Sequence, residues 1–244
     1  MTDQQIRHMI VAIPARNERR HIAASLDAVL LTLGSLPDDV SVRVIVACDS
    51  CDDDTAIVAR AVAASDDRVL VIEHAWGSAG SARAAAVDHG LAAVDDPMKC
   101  VWIATTDADT APAANWLERH MHYASLGFDA LAGIVELIDD ADRTEPVHAT
   151  FLRTYTFTDT HLHVHGANLG VRANAYLAAG GFPPIAVAED HALWNIIASL
   201  GHRRISPVDV VVATSARLVG RAAGGFADAL ASLQASPVKS EIPA

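Results

Sequence analysis

The sequence has few aromatic residues, few cysteines and little positive charge. Only 5% of its residues are aromatic although 51% are hydrophobic, so most apolar residues are alanine or aliphatic, which suits helices packed closely on a sheet. Its three cysteines, Cys48, Cys51 and Cys100, are too few for a disulfide framework, which indicates a reducing compartment. The net charge of −12 argues against nucleic acid or an anionic membrane surface as the main partner.

Long apolar runs and a leader pattern are also missing. No uncharged apolar stretch approaches the roughly 20 residues that a membrane helix needs. The opening residues, MTDQQIRHMIVAIPARNE, lack the charged-then-apolar order of a signal peptide. We therefore expect a cytoplasmic protein without a membrane span. At 244 residues, the chain is long enough for one large α/β domain or two small ones.

The first half of the chain alternates strand-like and helix-like segments. Apolar runs rich in valine and isoleucine predict buried strands at 8–14, 42–48, 68–74 and 100–107. The helices between them are predicted from the apolar residues Ile22, Leu26, Val29, Leu30 and Leu33, then Ile57, Val58, Ala61 and Val62, then Val87, Leu91 and Val94. This order predicts a parallel sheet flanked by helices, in which ligands bind where the strands end.

The second half is less regular. Its patterns predict helices at 115–125, 189–200 and 226–235, strands at 129–137 and 208–214, an acidic loop at 138–146 and a turn at 180–184. The apolar face of the helix at 189–200 comprises Ala192, Leu193, Ile196, Ile197 and Leu200.

Two aspartates, Asp107 and Asp109, follow the fourth predicted strand. They would project from the same side if the strand geometry continued. At ~4 Å, like charges repel by about 1 kcal/mol in water and about 4 kcal/mol near a protein surface, so a cation should lie between them. Oxygen ligands suit magnesium or manganese, with a diphosphate completing the site. The alternative is a solvated turn whose acids cap the helix at Asn115.

Six motifs in order resemble the family 2 glycosyltransferases of the GT-A fold over residues 9 to 205: IPARNE, ACDSCDDDT, GSAGSARAAA, TTDADT, HGANLGVRANAYLAAGGF and AEDHALWNII. The resemblance implies one α/β GT-A domain over 1–244, with a nucleotide-binding half at 8–110 and an acceptor-binding half at 111–244. It implies transfer of one sugar, with inversion, from a nucleoside diphosphate sugar, with UDP favoured, to a small-molecule or glycan acceptor. The implied cofactor is manganese or magnesium.

The sequence also differs from the membrane polysaccharide synthases that the family contains. Their Gln-x-x-Arg-Trp motif does not occur in it, and neither do their membrane helices. Processive polymer synthesis is therefore not expected.

The resemblance assigns the donor side residue by residue. The residues that it places around the nucleoside are Pro14, Ala15, Arg16 and Glu18. Glu18 would reach the ribose, Asp49 would accept from the base, and Arg83 would face the nucleotide. The surrounding ARAAAV departs from the usual Arg-Asn followed by glycine. Asp107 and Asp109 become the metal pair, with Asp109 as the direct ligand. Local alternatives are a first-turn helix charge for Glu18 and a helix N-cap for Asp49.

The acceptor side is assigned in the same way. Asp190 would be the general base, since a sugar hydroxyl is a poor nucleophile until a carboxylate takes its proton. Glu189 and Asp190 resemble the family's acidic pair at the start of the acceptor-side helix, which implies that Glu189 binds the donor or the acceptor. Both acids could instead only stabilise a helix N-terminus. The loop beneath the donor sugar and the acceptor would contain Gly166 and Asn168. Near the C-terminus, Arg217 and Arg221 are candidates for a mobile flap over the leaving diphosphate, or form a surface pair at a helix end.

Two further patterns leave alternatives open. His161, His163 and His165 would share one strand face if extended, which fits a transition-metal site, an exposed strand, or an acceptor site lined by His163 or His165. Cys48 and Cys51 lie between a strand and a helix, as in a thiol-disulfide oxidoreductase. This is the second function class. The third is a protein of the same fold that binds a nucleotide sugar without turnover.

Overall fold

A seven-stranded sheet forms the centre of the computed structural model, which describes residues 5–138, 144–220 and 225–235. In spatial order its strands are β3 (Val69–His74), β2 (Ser41–Asp49), β1 (His8–Ala15), β4 (Val101–Thr105), β8 (Leu169–Arg172), β6 (Ala130–Ala132) and β9 (Arg204–Ile205). Neighbouring strands are parallel except that β8 runs antiparallel to β4 and β6. The predicted parallel sheet of the first half is confirmed, and the second half extends it.

A smaller sheet lies beside the first. Its strands in spatial order are β5 (Thr110–Pro112), β10 (Val211–Thr214) and β7 (Ile134–Leu137). The hydroxyls of Thr110 and Thr214 lie 2.8 Å apart and are buried between β5 and β10. Because β5 starts directly after Asp109, this sheet fixes the chain that leaves the acidic pair.

Helices cover both faces of the large sheet. They are α1 (Ile22–Thr32), α2 (Thr55–Ala63), α3 (Ala79–Leu91), α4 (Trp116–Ser125), α5 (Glu145–Thr154), α6 (Ala173–Ala178), α7 (Glu189–Ser199) and α8 (Phe226–Ala235). Alternate residues of β1 serve two cores: Val11 packs with residues of α1, α2 and α4, and Ile10 packs with residues of α3, α6 and α7. In the part of the chain that the structure describes, no helix is long and apolar enough to cross a membrane.

The strand predicted at 129–137 is in fact two strands that belong to different sheets. The chain leaves β6 at Ala132 and enters β7 at Ile134. At Gly133 between them, an added Cβ would collide with the Asn168 side chain and the Val210 carbonyl. The crossing between the sheets therefore needs glycine, which has no Cβ. The uninterrupted apolar run of the sequence does not reveal this break.

Several predicted boundaries and faces also need correction. The strands predicted at 100–107 and 208–214 shorten to β4 and β10, because turns replace their polar ends. The helix predicted at 189–200 ends at Ser199, and Ile196 and Leu200 lie on its exposed side. In α2, Ile57 is 66% exposed, because Thr55, Ala56 and Ala59 face the core instead.

The acidic loop predicted at 138–146 ends earlier than expected. Helix α5 already begins at Glu145, with proline in its first turn, where a missing N–H costs nothing. Residues 139–143 of this loop lie outside the described residues.

Candidate active site

A pocket of about 730 Å³ opens where β1, β2 and β4 end. Most of the predicted site residues line it: Pro14, Ala15, Arg16, Glu18, Asp49, Arg83, Asp107, Asp109, His165, Gly166, Glu189, Asp190 and Arg217. Parallel strands present their carboxyl ends at one edge of a sheet, which explains why residues far apart in sequence meet here. The described lining includes six carboxylates but only three arginines. The pocket is therefore acidic.

Glu18 lies in the turn after β1, where Asn17 adopts a left-handed backbone with φ of 56°. The Glu18 side chain is buried, and its oxygens accept hydrogen bonds from Arg217 at 2.7 and 2.9 Å. His21 lies 3.0 Å from the same carboxylate. Because α1 begins only at Ile22 and these partners are side chains, the Glu18 carboxylate does not serve as a first-turn helix charge.

Asp49 is the last residue of β2 and is buried. Its Oδ1 accepts from the backbone N–H groups of Trp76 and Gly77 at 2.8 and 3.0 Å, so it positions the loop that leads into α3. The alternative N-cap role does not fall to Asp49: Asp54 is the N-cap residue of α2, and Asp53 accepts from the backbone N–H of Thr55 at 2.9 Å.

Arg83 joins the two halves of the pocket. This buried arginine of α3 donates to Asp107 at 2.8 Å and also to Glu189. Burial opposes its charge, but Asp107 and Glu189 hold the pKa of Arg83 above its usual value. A Cβ on Gly166 would lie 2.7 Å from the Arg83 guanidinium carbon, so glycine is required there. The guanidinium lines the pocket as predicted, but in this structure it binds two acids.

Asp107 and Asp109 do not continue the strand, so the prediction that both project from one strand face is wrong. A turn separates β4 from β5, and each acid has its own arginine. Asp107 contacts Arg83, whereas Asp109 accepts from Arg217 at 2.9 Å. Burial raises the pKa of Asp109 to about 6, and Asp107 and Glu18 add to this rise while Arg217 opposes it. Negative charge around Asp109 thus exceeds what one arginine offsets.

Asp190 lies in the first turn of α7 and also lines the pocket. The residue before this helix, Ala188, has a left-handed backbone with φ of 63°, a conformation that costs energy for a residue with a Cβ. One Asp190 oxygen accepts from the Gly166 backbone N–H at 2.7 Å, and the other accepts from the His191 backbone N–H at 2.7 Å. The carboxylate therefore serves the helix N-terminus and also faces the pocket.

Comparison with known proteins identifies the family. Residues 10–177 match the family model described as glycosyl transferase family 2. The chain belongs to this family. Among curated proteins, none matches the sequence.

Two solved structures resemble this family 2 chain. One is the mannosyltransferase PcManGT from Pyrobaculum calidifontis in complex with GDP-Man and Mn2+, with a TM-score of 0.63 and 21% identity over 89% of this chain and 58% of that one. The other is S. aureus TarS 1-349 in complex with UDP, with a TM-score of 0.62 and 15% identity over 85% of this chain and 60% of that one. At such identities the likeness shows the GT-A fold alone. The chain spans about three fifths of each solved chain.

The residues of the pocket fit a divalent metal. The Asp107 and Asp109 carboxylates are the hard oxygen ligands that magnesium and manganese accept, and such ions are often held by one or two carboxylates plus substrate phosphates. The excess of acids over arginines leaves negative charge for a cation to offset. Over residues 5–138, 144–220 and 225–235, no group of three or more histidine, cysteine or acidic side chains could hold a metal. A metal here would need oxygen atoms from the nucleotide.

One predicted residue, Asn168, does not line the pocket, and another, Arg221, is not described by the structure. Asn168 is fully buried, and its amide donates to the Ile134 and Val210 carbonyls while accepting from Trp116 Nε1. These bonds use the whole amide to hold β7 and β10 together, so the structure does not support a binding role for it. Arg221 lies outside the described residues.

The three histidines of HLHVH stack rather than form a strand. Tyr155 and His163 have ring centroids 3.8 Å apart and planes at 6°, and the His163 and His165 rings lie 5.9 Å apart at 14°. His161 stacks on the other side of this series, 5.4 Å from His163. They form no group of three or more side chains that could hold a metal with other described histidine, cysteine or acidic residues. His163 and His165 line the pocket, as the acceptor-site alternative requires.

Cys48 and Cys51 are free thiols. Cys48 is buried, and burial together with Cys51 raises the pKa of its thiol to about 12. Reactive thiols need a lowered pKa, because the thiolate is the nucleophile. The environment of Cys48 therefore disfavours the redox alternative.

The apolar part of the pocket was not predicted from the sequence. Leu162, Val164, Val187 and Phe226 line it, and all but Phe226 lie in irregular segments. Their signal in the sequence is weak: apolar residues between predicted elements, without helical or strand periodicity. Leu162 and Val164 alternate with the three histidines, and this alternation is the feature of the sequence that could have indicated an apolar wall.

Proposed function

We propose that this family 2 chain is a metal-dependent glycosyltransferase. It moves a single sugar from a nucleoside diphosphate sugar, with UDP-sugars favoured, to an acceptor hydroxyl, with inversion. The observation that carries the proposal is that Asp107, Asp109 and Asp190 line the same pocket. Leaving-group stabilisation and proton removal are the two requirements of the reaction, and this pocket holds carboxylates suited to both.

The donor side uses residues of the first half, 8–110, together with Arg217. Pro14, Ala15 and Arg16 form the nucleoside wall, and Glu18 binds the ribose hydroxyls. Asp49 supports a uracil base: Oδ1 is occupied by backbone N–H groups, and among the described residues none donates to Oδ2. That oxygen can accept from the single imide N–H of uracil.

Asp107 and Asp109 would hold the divalent metal, which supplies positive charge to the departing diphosphate. Arg217 is the described arginine that contacts Asp109, and it can turn to a phosphate oxygen when the nucleotide enters.

The acceptor side belongs to the second half, 111–244. Asp190 takes the proton of the acceptor hydroxyl. The freed oxygen bonds to the anomeric carbon while the bond from that carbon to the diphosphate oxygen breaks, and a single displacement inverts the configuration. The Gly166 N–H holds the Asp190 carboxylate in place. Glu189 acts indirectly, by orienting Arg83. A cytoplasmic location is part of the proposal and is supported by the free state of Cys48, Cys51 and Cys100.

The test is a donor screen with UDP-sugars and GDP-mannose, each with manganese and a mixture of sugar acceptors. We expect release of nucleoside diphosphate and a sugar-sized mass gain on an acceptor with one class of donor. Asp190→Asn should abolish both, while Asp209→Asn, which changes a surface acid outside the pocket, should not. Nucleotide binding without release for any donor would identify a binding protein without turnover, and neither binding nor release would contradict the whole proposal.

A further inference from the structure

Stacked rings form one wall of the pocket. His163, His165 and Phe226 line it, and Tyr155 lies behind them. Tyr155 packs face to face on His163, and the edge of Phe226 meets His165 with ring centroids 5.6 Å apart. We call these four residues the ring wall. Helix α8 supplies Phe226, and the segment after α5 supplies the other three.

A hydrogen bond and burial keep the imidazoles of the ring wall uncharged. Nε2 of His163 accepts from the Thr156 backbone N–H at 2.9 Å, so this nitrogen carries no proton. Tyr155 Oη accepts from the Val135 N–H and lies within hydrogen-bond distance of His165 Nε2, at 3.0 Å. Burial also lowers the pKa of both histidines, that of His165 to about 4. The ring wall thus presents neutral, flat surfaces.

The apolar surface continues to the mouth of the pocket. Leu162 lines the pocket and is 91% exposed, and Val187 lines it and is 41% exposed. Single exposed apolar residues are common. Two of them lining the same pocket as a wall of rings provide apolar surface that a bound molecule could cover.

Charge distinguishes this side of the pocket from the donor side. Among the described lining residues, Arg83 and Arg217 are paired with donor-side and helix acids, and Arg16 lies at the end of β1. The four residues of the ring wall carry no positive charge, and the Asp190 carboxylate lies beside them. Of the described residues, none beside the ring wall offers a cation to offset the repulsion that an acceptor phosphate or carboxylate would meet from Asp190.

We propose that the acceptor is an uncharged molecule whose apolar group, a ring or an alkyl chain, packs on the ring wall and Leu162 while its hydroxyl faces Asp190. This inference rests on the proposed function and names its acceptor class. The hydroxyl gives its proton to Asp190 and receives the sugar, and the apolar group takes no part in bond making.

Matched glucosides test the inference. Binding of methyl glucoside, phenyl glucoside and phenyl glucuronide is measured by NMR in the presence of manganese and the nucleotide that binds, with the ring signals of His163 and His165 as site reporters. We expect phenyl glucoside to shift these signals and to bind about tenfold more tightly than methyl glucoside, as burial of one ring allows. Phenyl glucuronide, which differs by its carboxylate, should bind more weakly. Equal binding of phenyl and methyl glucosides, tighter binding of the glucuronide, or no binding would overturn the inference.

Two surface variants give the control. Leu162→Gln should weaken phenyl glucoside binding several-fold, whereas Leu31→Gln, at a leucine 71% exposed on α1 and outside the pocket, should not. Equal effects of both changes would also overturn the inference. Nucleotide binding is measured in the same samples. If the nucleotide binds but the glucosides do not follow this order, only the acceptor class fails; if no nucleotide binds, the proposed function fails.

Discussion

Arg217 donates to Asp109 at 2.9 Å, so the free protein already holds a cation against the carboxylate that we assign to the metal. The same guanidinium binds Glu18, which we assign to the ribose. Glu18 is buried and only 12% of the Asp109 side chain is exposed, and a carboxylate so far from water is costly without a partner. Arg217 therefore stabilises Glu18 and Asp109, and a metal with its nucleotide would take over the charge that Arg217 offsets.

Arg217→Gln should lower the free energy of unfolding of the free protein by about 1–3 kcal/mol, because two buried acids lose a charged partner. Manganese should raise the unfolding temperature more in this variant than in the natural chain, because the metal replaces the missing positive charge at Asp109. Thermal unfolding with and without manganese measures both effects. Arg119→Gln, which removes a pair with Asp209 on the surface, is the control. Equal manganese shifts in all three proteins would contradict the metal assignment.

Asp190→Asn should leave donor nucleotide affinity unchanged and reduce transfer by roughly 10²–10⁴-fold, the usual contribution of a general base. The asparagine oxygen can still accept from the Gly166 N–H, so the loop should keep its place. Calorimetry of nucleotide binding and a transfer assay separate the two effects. Transfer at a similar rate would show that another residue is the base.

Cys48 should not react with a thiol reagent near neutral pH in the native protein, because its thiol is buried and its pKa is raised to about 12. It should react once the chain is unfolded. Cys51→Ser should retain transfer. Rapid native modification of Cys48, or loss of all activity in Cys51→Ser, would revive the oxidoreductase alternative.

His120 should make the protein less stable in acid. It is buried between Trp102 and Trp116, and burial lowers its pKa to about 3, whereas an unfolded histidine titrates near 6.5. The unfolded state therefore takes up a proton first as the pH falls. The stability that neutral His120 gives the folded state is fully present above about pH 6.5. It is lost as the pH falls toward about 3, and the free energy of unfolding then drops by up to about 1.4 kcal/mol per pH unit.

Urea unfolding over this pH range measures the slope, to which His165 contributes in the same direction. His120→Gln keeps an oxygen that can accept from Trp102 Nε1, the present donor to His120. The variant should lose a slope equal to about one proton. Identical slopes in the two proteins would show that His120 is not the titrating group.

The parts of the fold that were predicted well rest on local patterns. Glu18, Asp49 and Asp107 lie at or just after the ends of three strands, and each of these strands is a continuous apolar run. Parallel pairing brings the strand ends together whatever the details of packing. Most of the site residues that the sequence predicted line the pocket. The break at Gly133 was missed because its cause, the Asn168 side chain, lies far away in sequence.

The pairing of charges was not predictable for the same reason. Arg83 binds Glu189, a residue of the second half, and Arg217 binds Glu18 near the start of the chain. A sequence shows which residues carry charge but not which partner a fold places beside each of them. The ring wall is a similar case, since the stacking of His163 on Tyr155 depends on an irregular segment without periodicity.

The most direct test of the account is calorimetric titration of the protein and of Asp109→Asn with UDP and with GDP, each with and without manganese. We predict that UDP binds only when manganese is present and that Asp109→Asn removes this binding. Tight binding of GDP instead would change the base but keep the metal site. Unchanged affinity in Asp109→Asn, or no binding of either nucleotide under any condition, would contradict the claim that this pocket is a metal-dependent donor site.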